Sequence, residues 1–171
     1  KPSEMVLPFR IEAFDNIGNF EAVLDLILHT SRLLPSYGFP VGLDIVDKFA
    51  KVPAWMSRSV SPHRNSNYAI VTLSLKKTGI PPGDATATQM DVIADMAERF
   101  SLGEVRVTHE QNLVLPHVSR KDLFALWTIA ASQGLATPNI GLLTDVVCCP
   151  GGDFCSLANA KSIPIATAIQ Q

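Results

Sequence analysis

Three cysteines, Cys148, Cys149 and Cys155, fall within eight positions on the run Cys148-Cys149-Pro150-Gly151-Gly152-Asp153-Phe154-Cys155. Thiolates hold soft metals and iron–sulfur clusters. Five residues separate Cys149 from Cys155. For both sulfurs to reach one compact, electron-rich cluster, the chain between them must curl and turn its amides toward the sulfides. Gly151 and Gly152 permit that curl, and backbone N–H groups offset negative charge. Spacing alone leaves other readings open. Free cysteine is commonly buried as a small apolar residue, so an ordinary turn is the most economical account. Structural zinc favours a shorter Cys-x2–4-Cys spacing with four ligands, and a dithiol switch would use Cys-x-x-Cys. An odd, clustered set is not the framework of a secreted disulfide protein, so a cytoplasmic location is expected.

Positioning such a loop requires a scaffold, and the pattern of the middle of the chain describes one. Tyr68–Leu75 alternates Ala69, Val71, Leu73 and Leu75 against Tyr68, Ile70, Thr72 and Ser74, a strand pattern. Lys76–Ala85 carries Gly79, Pro81, Pro82 and Gly83 and reads as a loop. Thr86-Ala87-Thr88-Gln89 has capping-box form, and Met90, Ile93, Met96, Ala97 and Phe100 then follow one helical stripe. Glu104–Thr108 and Asn112–Leu115 read as two short strands joined by His109-Glu110-Gln111. Ser119 is placed to cap a helix whose buried stripe is Leu123, Leu126, Trp127 and Ala130, closed by Gly134. The order β-α-β-β-α over Asn67–Leu135 predicts a small sheet covered by helices, an α/β (α+β) layer that is half of a ferredoxin-like sandwich. Before it, Asn19–Leu34, Leu43–Phe49 and Trp55-Met56 read as helices, and Ser57–Asn67 as a linker. After it, Leu142–Val147 reads as a strand and Cys155–Ile169 as a helix broken at Pro164.

Composition narrows the function classes. Of 171 residues, 47% are apolar and 18% charged, which excludes a disordered tail. The net charge of −2 supplies no basic field for nucleic acid or an anionic membrane. The longest apolar stretches, Ala22–Leu28 and Ile140–Cys149, are interrupted by Asp25 and Asp145 and fall short of the ~20 residues of a membrane span. His29, His63, His109 and His117 show no His-x3-His or His-Glu-x-x-His spacing. His109-Glu110 reads as a solvent-facing turn. Gly79–Gly83 lacks the Gly-Lys-Ser/Thr ending of a phosphate loop. Lys76, Lys77, Arg106 and Lys161 read as isolated surface charges. Ser119 and Ser156 have no His/Asp partners for nucleophilic chemistry, so no residue of the chain reads as catalytic.

Three ordered motifs resemble the nitrite/sulfite reductase family. They are Tyr68-Ala69-Ile70-Val71-Thr72-Leu73-Ser74-Leu75-Lys76 with Gly83-Asp84-Ala85-Thr86-Ala87-Thr88-Gln89-Met90, then Arg106-Val107-Thr108-His109-Glu110-Gln111-Asn112-Leu113-Val114-Leu115-Pro116-His117-Val118, and finally Gly141–Ala160 around the cysteines. The likeness is to the second half-repeat, is strongest to the sulfite reductase hemoprotein (beta) type, and covers Trp55–Gln171. It implies a helical linker region over 1–66, a ferredoxin-like half-domain over 67–136 and the start of a siroheme and iron–sulfur cofactor domain over 137–171. It implies six-electron reduction of sulfite or nitrite at a siroheme coupled to a four-iron four-sulfur cluster. The cluster is held by a Cys-x5-Cys pair and a later Cys-x3-Cys pair. Cys149 and Cys155 match the first pair, and Cys148 sits where the family has a small residue. Gln111 and Asn112 match a loop whose counterpart in the other repeat approaches siroheme.

The resemblance also implies partners: the remaining halves of the reductase and an electron donor, flavoprotein or ferredoxin. The chain starts at Lys1 and ends at Gln171 with no cysteine after Cys155. We therefore expect a piece of a reductase that is inactive alone, binds no cofactor alone because it offers two of four thiolates, and self-associates through its uncovered face. The alternatives are a precorrin-3B synthase-like protein and a metal-free structural half-domain that pairs with a partner.

Overall fold

The computed structural model describes residues 51, 52 and 54–171, which belong to a compact unit spanning residues 47–171. The helices expected at Asn19–Leu34 and Leu43–Phe49 lie outside the described residues. Residues 54–59 are helical, as expected around Trp55-Met56.

A four-stranded antiparallel sheet, β1 (Val60–Pro62), β2 (Tyr68–Leu73), β3 (Arg106–Val107) and β4 (Leu113–Ser119), is ordered β1-β2-β4-β3. With helices α1 (Ala87–Phe100), α2 (Leu123–Ser132) and α3 (Ile163–Ile169), it makes an α+β half-domain of ferredoxin-like kind. Strand β1 corrects the expectation of a linker over Ser57–Asn67. Its three residues pair with residues 69–71 of β2 (Val60 with Val71, Pro62 with Ala69), an edge position that tolerates proline.

Alternation puts Ala69, Val71 and Leu73 of β2 in the core, with Leu113, Leu115 and Val118 of β4. The step from Leu115 to Val118 spans three residues while its partners, Val71 and Ala69, span two. The extra residue on β4 is a bulge, and it falls at Pro116–His117. A proline has no N–H for a central ladder, so the bulge accommodates it and restores the inward face on its far side. Strand β4 therefore runs to Ser119, beyond the expected Asn112–Leu115, whereas β3 shrinks to two residues. Ile93, Met96 and Ala97 of α1 and Leu123, Leu126, Trp127 and Ala130 of α2 are buried as well, as are Trp55 and Leu135. Truncating one such side chain, Leu115→Ala for example, costs about 2–5 kcal/mol.

Helix α1 starts with the predicted capping box: Thr86 Oγ1 accepts from Gln89 N, and Gln89 Oε1 accepts from Thr86 N. Helix α2 starts later than expected. Ser119 makes no side-chain cap, and a 3-10 turn, Arg120–Asp122, intervenes. Gly134 (φ +72°) closes α2, where Leu135 N donates to Ala130 O. Leu142–Val147 is not a strand but a series of turns, and residues 155–162 are not helical. Helix α3 begins at Ile163, so Pro164 stands in the first turn, where its missing N–H costs nothing, rather than breaking a longer helix. On the outer face, His63 Nε2 lies 3.2 Å from His117 Nδ1, and His117 Nε2 lies 3.2 Å from Glu104 Oε2. The Arg106 guanidinium, hydrogen bonded to Glu104, and His117 beside it hold that carboxyl below its ordinary value.

No helix among the described residues is long and apolar enough to cross a membrane.

Candidate functional site

The turn into β4 and the end of β2 together hold the segment that carries the cysteines. Lys76 leaves β2 with a fully buried side chain and pairs with Asp145 Oδ1 at 2.8 Å, while its ammonium also donates to the Glu110 carbonyl. This corrects the expectation of a surface charge. An ammonium out of water needs an opposite charge beside it, and Asp145, its side chain only 6% exposed, supplies one. Burial alone would raise the Asp145 carboxyl. Hydrogen bonds from Lys76, the Gly141 amide and Asn112, with the Lys76 charge, outweigh it and hold the group below its ordinary value. Asn139, also buried, accepts from Ser74 Oγ at 2.7 Å and donates to Lys76 O at 2.9 Å and Thr144 O at 3.2 Å. These side chains occupy the backbone groups of 139–145, which is why that stretch turns instead of pairing as a strand.

Asn112 lies buried at the same junction. Its Oδ1 accepts from Leu75 N at 3.1 Å and its Nδ2 donates to Asp145 at 2.9 Å. Gln111, at φ +57°, turns its amide the other way: Nε2 donates to Cys148 O at 2.8 Å and Oε1 accepts from Cys148 N at 2.9 Å. Of the two residues expected near a macrocycle, both therefore spend their amides on the chain's own backbone and on Asp145.

Among the cysteines the structure separates three environments. All three are free thiols; Cys148 is buried, Cys149 exposed and Cys155 half-buried. Pro150 enters a 3-10 turn, Gly151–Asp153, and Cys155 N donates to Gly151 O at 2.8 Å. Cys149 and Cys155 thus flank one tight turn. Gly151 is at φ +60°, and a Cβ there would meet Ser162 and the Ala160 carbonyl. Gly152 N donates to Ala160 O at 2.8 Å, and Lys161 pairs with Asp153 at 3.0 Å, so the returning chain backs the turn. Among the described residues no group of three or more His, Cys, Asp or Glu side chains gathers as metal ligands. Two accessible thiols flanking one turn fit half of a four-thiolate set, and the buried Cys148 does not extend it. His109 is solvent-exposed beside Glu110, as expected. Lys76, Asp145, Asn139 and Ser162 are the site residues that sequence patterns miss.

The half-domain has relatives. Residues 77–133 match the family model of the nitrite/sulfite reductase ferredoxin-like half domain. The chain is 31% identical over 137 residues to the chloroplastic ferredoxin–nitrite reductase of Zea mays, a match covering 75% of this chain and 22% of that protein. It is 30% identical over 118 residues to the enzyme of the same description from Oryza sativa subsp. japonica, covering 67% and 18%. It is 29% identical over 92 residues to a ferredoxin–nitrite reductase of Synechococcus elongatus, covering 54% and 18%. The chain spans about a fifth of the length of these relatives.

Proposed function

Because this chain carries a ferredoxin-like half-domain of the nitrite/sulfite reductase family, we propose that it is the part of such a reductase that presents the first pair of cluster thiolates. The observation that carries the reading is the sorting of the cysteines: Cys149 and Cys155 are accessible across one turn, and Cys148 is turned inward. A four-iron four-sulfur cluster and a siroheme, when bound, would relay electrons from an external donor to nitrite or sulfite for its six-electron reduction. Cys149 and Cys155 would hold the cluster, Pro150–Gly152 would shape the turn between them, and the Lys76–Asp145–Asn112 network ties the segment to the sheet. Gln111 and Asn112 act on the cofactors by shaping this loop. The relatives' names favour nitrite over sulfite and ferredoxin over a flavoprotein as donor. Exposed thiols suit a reducing compartment such as the cytoplasm. With two thiolates of four, the chain by itself is inactive in this reading.

The test uses the full-length protein purified without oxygen, assayed for iron, acid-labile sulfide, visible absorbance and consumption of nitrite and sulfite with reduced ferredoxin. Wild type and Cys148→Ser retain the cluster; Cys149→Ser and Cys155→Ser lose it. Retention in both of the latter overturns the assignment. Iron-free full-length protein moves the reading to the metal-free structural module, and turnover of a corrinoid precursor instead of either anion moves it to precorrin-3B synthase chemistry.

A further inference from the structure

Both peptide groups that flank the exposed Cys149 are held from outside its loop. Ahead of it, the Cys148 carbonyl accepts from Gln111 Nε2 at 2.8 Å, while the Cys148 N–H donates to the same side chain at 2.9 Å. The peptide unit is planar, and no cis bond occurs among the described residues. Fixing the Cys148 carbonyl therefore fixes the direction of the Cys149 N–H and Cα. Behind it, the Cys149 carbonyl accepts from Ser162 Oγ at 2.7 Å and from the Cys148 thiol at 3.2 Å. Gln111 comes from the turn before β4 and Ser162 from the residue that precedes α3, so the two clamps are independent in sequence.

Two uncommon backbone conformations serve this arrangement. Gln111 occupies the left-handed region, which a residue with a Cβ adopts only at a cost. A Cβ added at Gly83 would stand 3.1 Å from the Gln111 side chain, so glycine leaves the amide its place. At Gly151 an added Cβ would overlap the Ser162 hydroxyl and come within 2.9 Å of Ser162 N. Glycine at 151 is what lets that hydroxyl reach Cys149.

We infer that Gln111 and Ser162 are positioning residues for Cys149, bracketing its backbone so that its Cα–Cβ bond, from which the thiolate swings, is held in one direction before any metal arrives. The inference rests on the reading of Cys149 as a cluster ligand. A ligand already oriented loses less conformational freedom on binding, and removing the groups that orient a ligand costs about 10–100-fold in metal affinity.

The experiment uses the full-length protein carrying its cluster, with Ser162→Ala, Ser162→Thr and Gln111→Ala as variants. Three quantities are read: the rate of iron release to a chelator, the EPR spectrum of the reduced cluster, and the urea midpoint as a control for folding. Ser162→Ala and Gln111→Ala release iron about tenfold faster and alter the EPR line shape, whereas Ser162→Thr, which keeps the hydroxyl, matches wild type. Wild-type release and spectra in both alanine variants overturn the bracket, as does Ser162→Thr behaving like Ser162→Ala. If Gln111→Ala does not fold, the Ser162 pair decides. Wild-type protein without a cluster overturns the underlying ligand reading instead, a result distinct from failure of the bracket.

Discussion

A lysine cut off from solvent must have its charge answered inside the protein, and at Lys76 the answer comes from Asp145, 69 positions along the chain. Replacing Lys76 by methionine leaves the Asp145 carboxylate buried beside an apolar chain. We expect a loss of about 3 kcal/mol in urea denaturation, with part of it recovered in Lys76→Met/Asp145→Asn, which removes the unanswered charge and keeps an acceptor for Asn112 and Gly141. A double variant as unstable as the single one would place the effect elsewhere. The pair also has a pH signature. The Asp145 carboxyl titrates below its ordinary 3.8 in the fold, so its stabilisation is complete above that value and disappears as the pH falls through the lower folded value. The urea midpoint should drop as acid passes below about pH 4, and the drop should be shallower in Asp145→Asn. The cysteine spacing and the Gln111-Asn112 pair were visible in the letters because motif residues are local. The burial of Lys76 was not, since Lys76-Lys77 ahead of a glycine-rich loop has the look of a solvated turn until Asp145 is brought to it. Likewise nothing near Ser162 announces a hydroxyl aimed at a residue thirteen positions earlier.

The start of α1 is legible for the same reason, since cap and first turn are neighbours in sequence, whereas Ser119 makes no cap and α2 begins only after a 3-10 turn. Thr86→Ala should cost about 1 kcal/mol through loss of the cap. Gln89 does more than complete the capping box, since its Nε2 also donates to the Gln133 carbonyl at the end of α2 at 2.9 Å. Gln89→Ala should therefore lower the thermal midpoint further than Thr86→Ala; equal shifts would show the cross-helix bond to be idle. Where elements were misjudged, long-range partners decided. Val60–Pro62 is too short to display alternation and becomes a strand only because β2 offers an edge. Leu142–Val147 has strand-like letters, yet Asn139 and Asp145 tie its surroundings into turns. Pro164 signals a boundary in either reading, and only the structure tells a first turn from a break.

At the scale of the whole fold, exposed apolar side chains among the described residues concentrate on the cysteine-bearing segment: Leu143, Val147, Phe154, Leu157 and Ile165 are all outward, Leu157 at 89%. Such exposed apolar surface favours association. Sedimentation of the chain alone should give a mass that rises with concentration and falls back in Phe154→Asp/Leu157→Asp; an ideal monomer throughout would refute this. The sheet is better protected, because its β3 edge is only two residues long and carries Arg106. The polar latch around Lys76 has a last consequence, one of timing. The partners of Asn139, Asp145 and Cys148 sit at the exit of β2 and the entry of β4, so those strands must already be paired before the latch can close. If the cysteine loop holds a cluster as proposed, loading would follow this closure: a copy whose sheet had not paired would leave its cysteine loop untethered and would take up no iron.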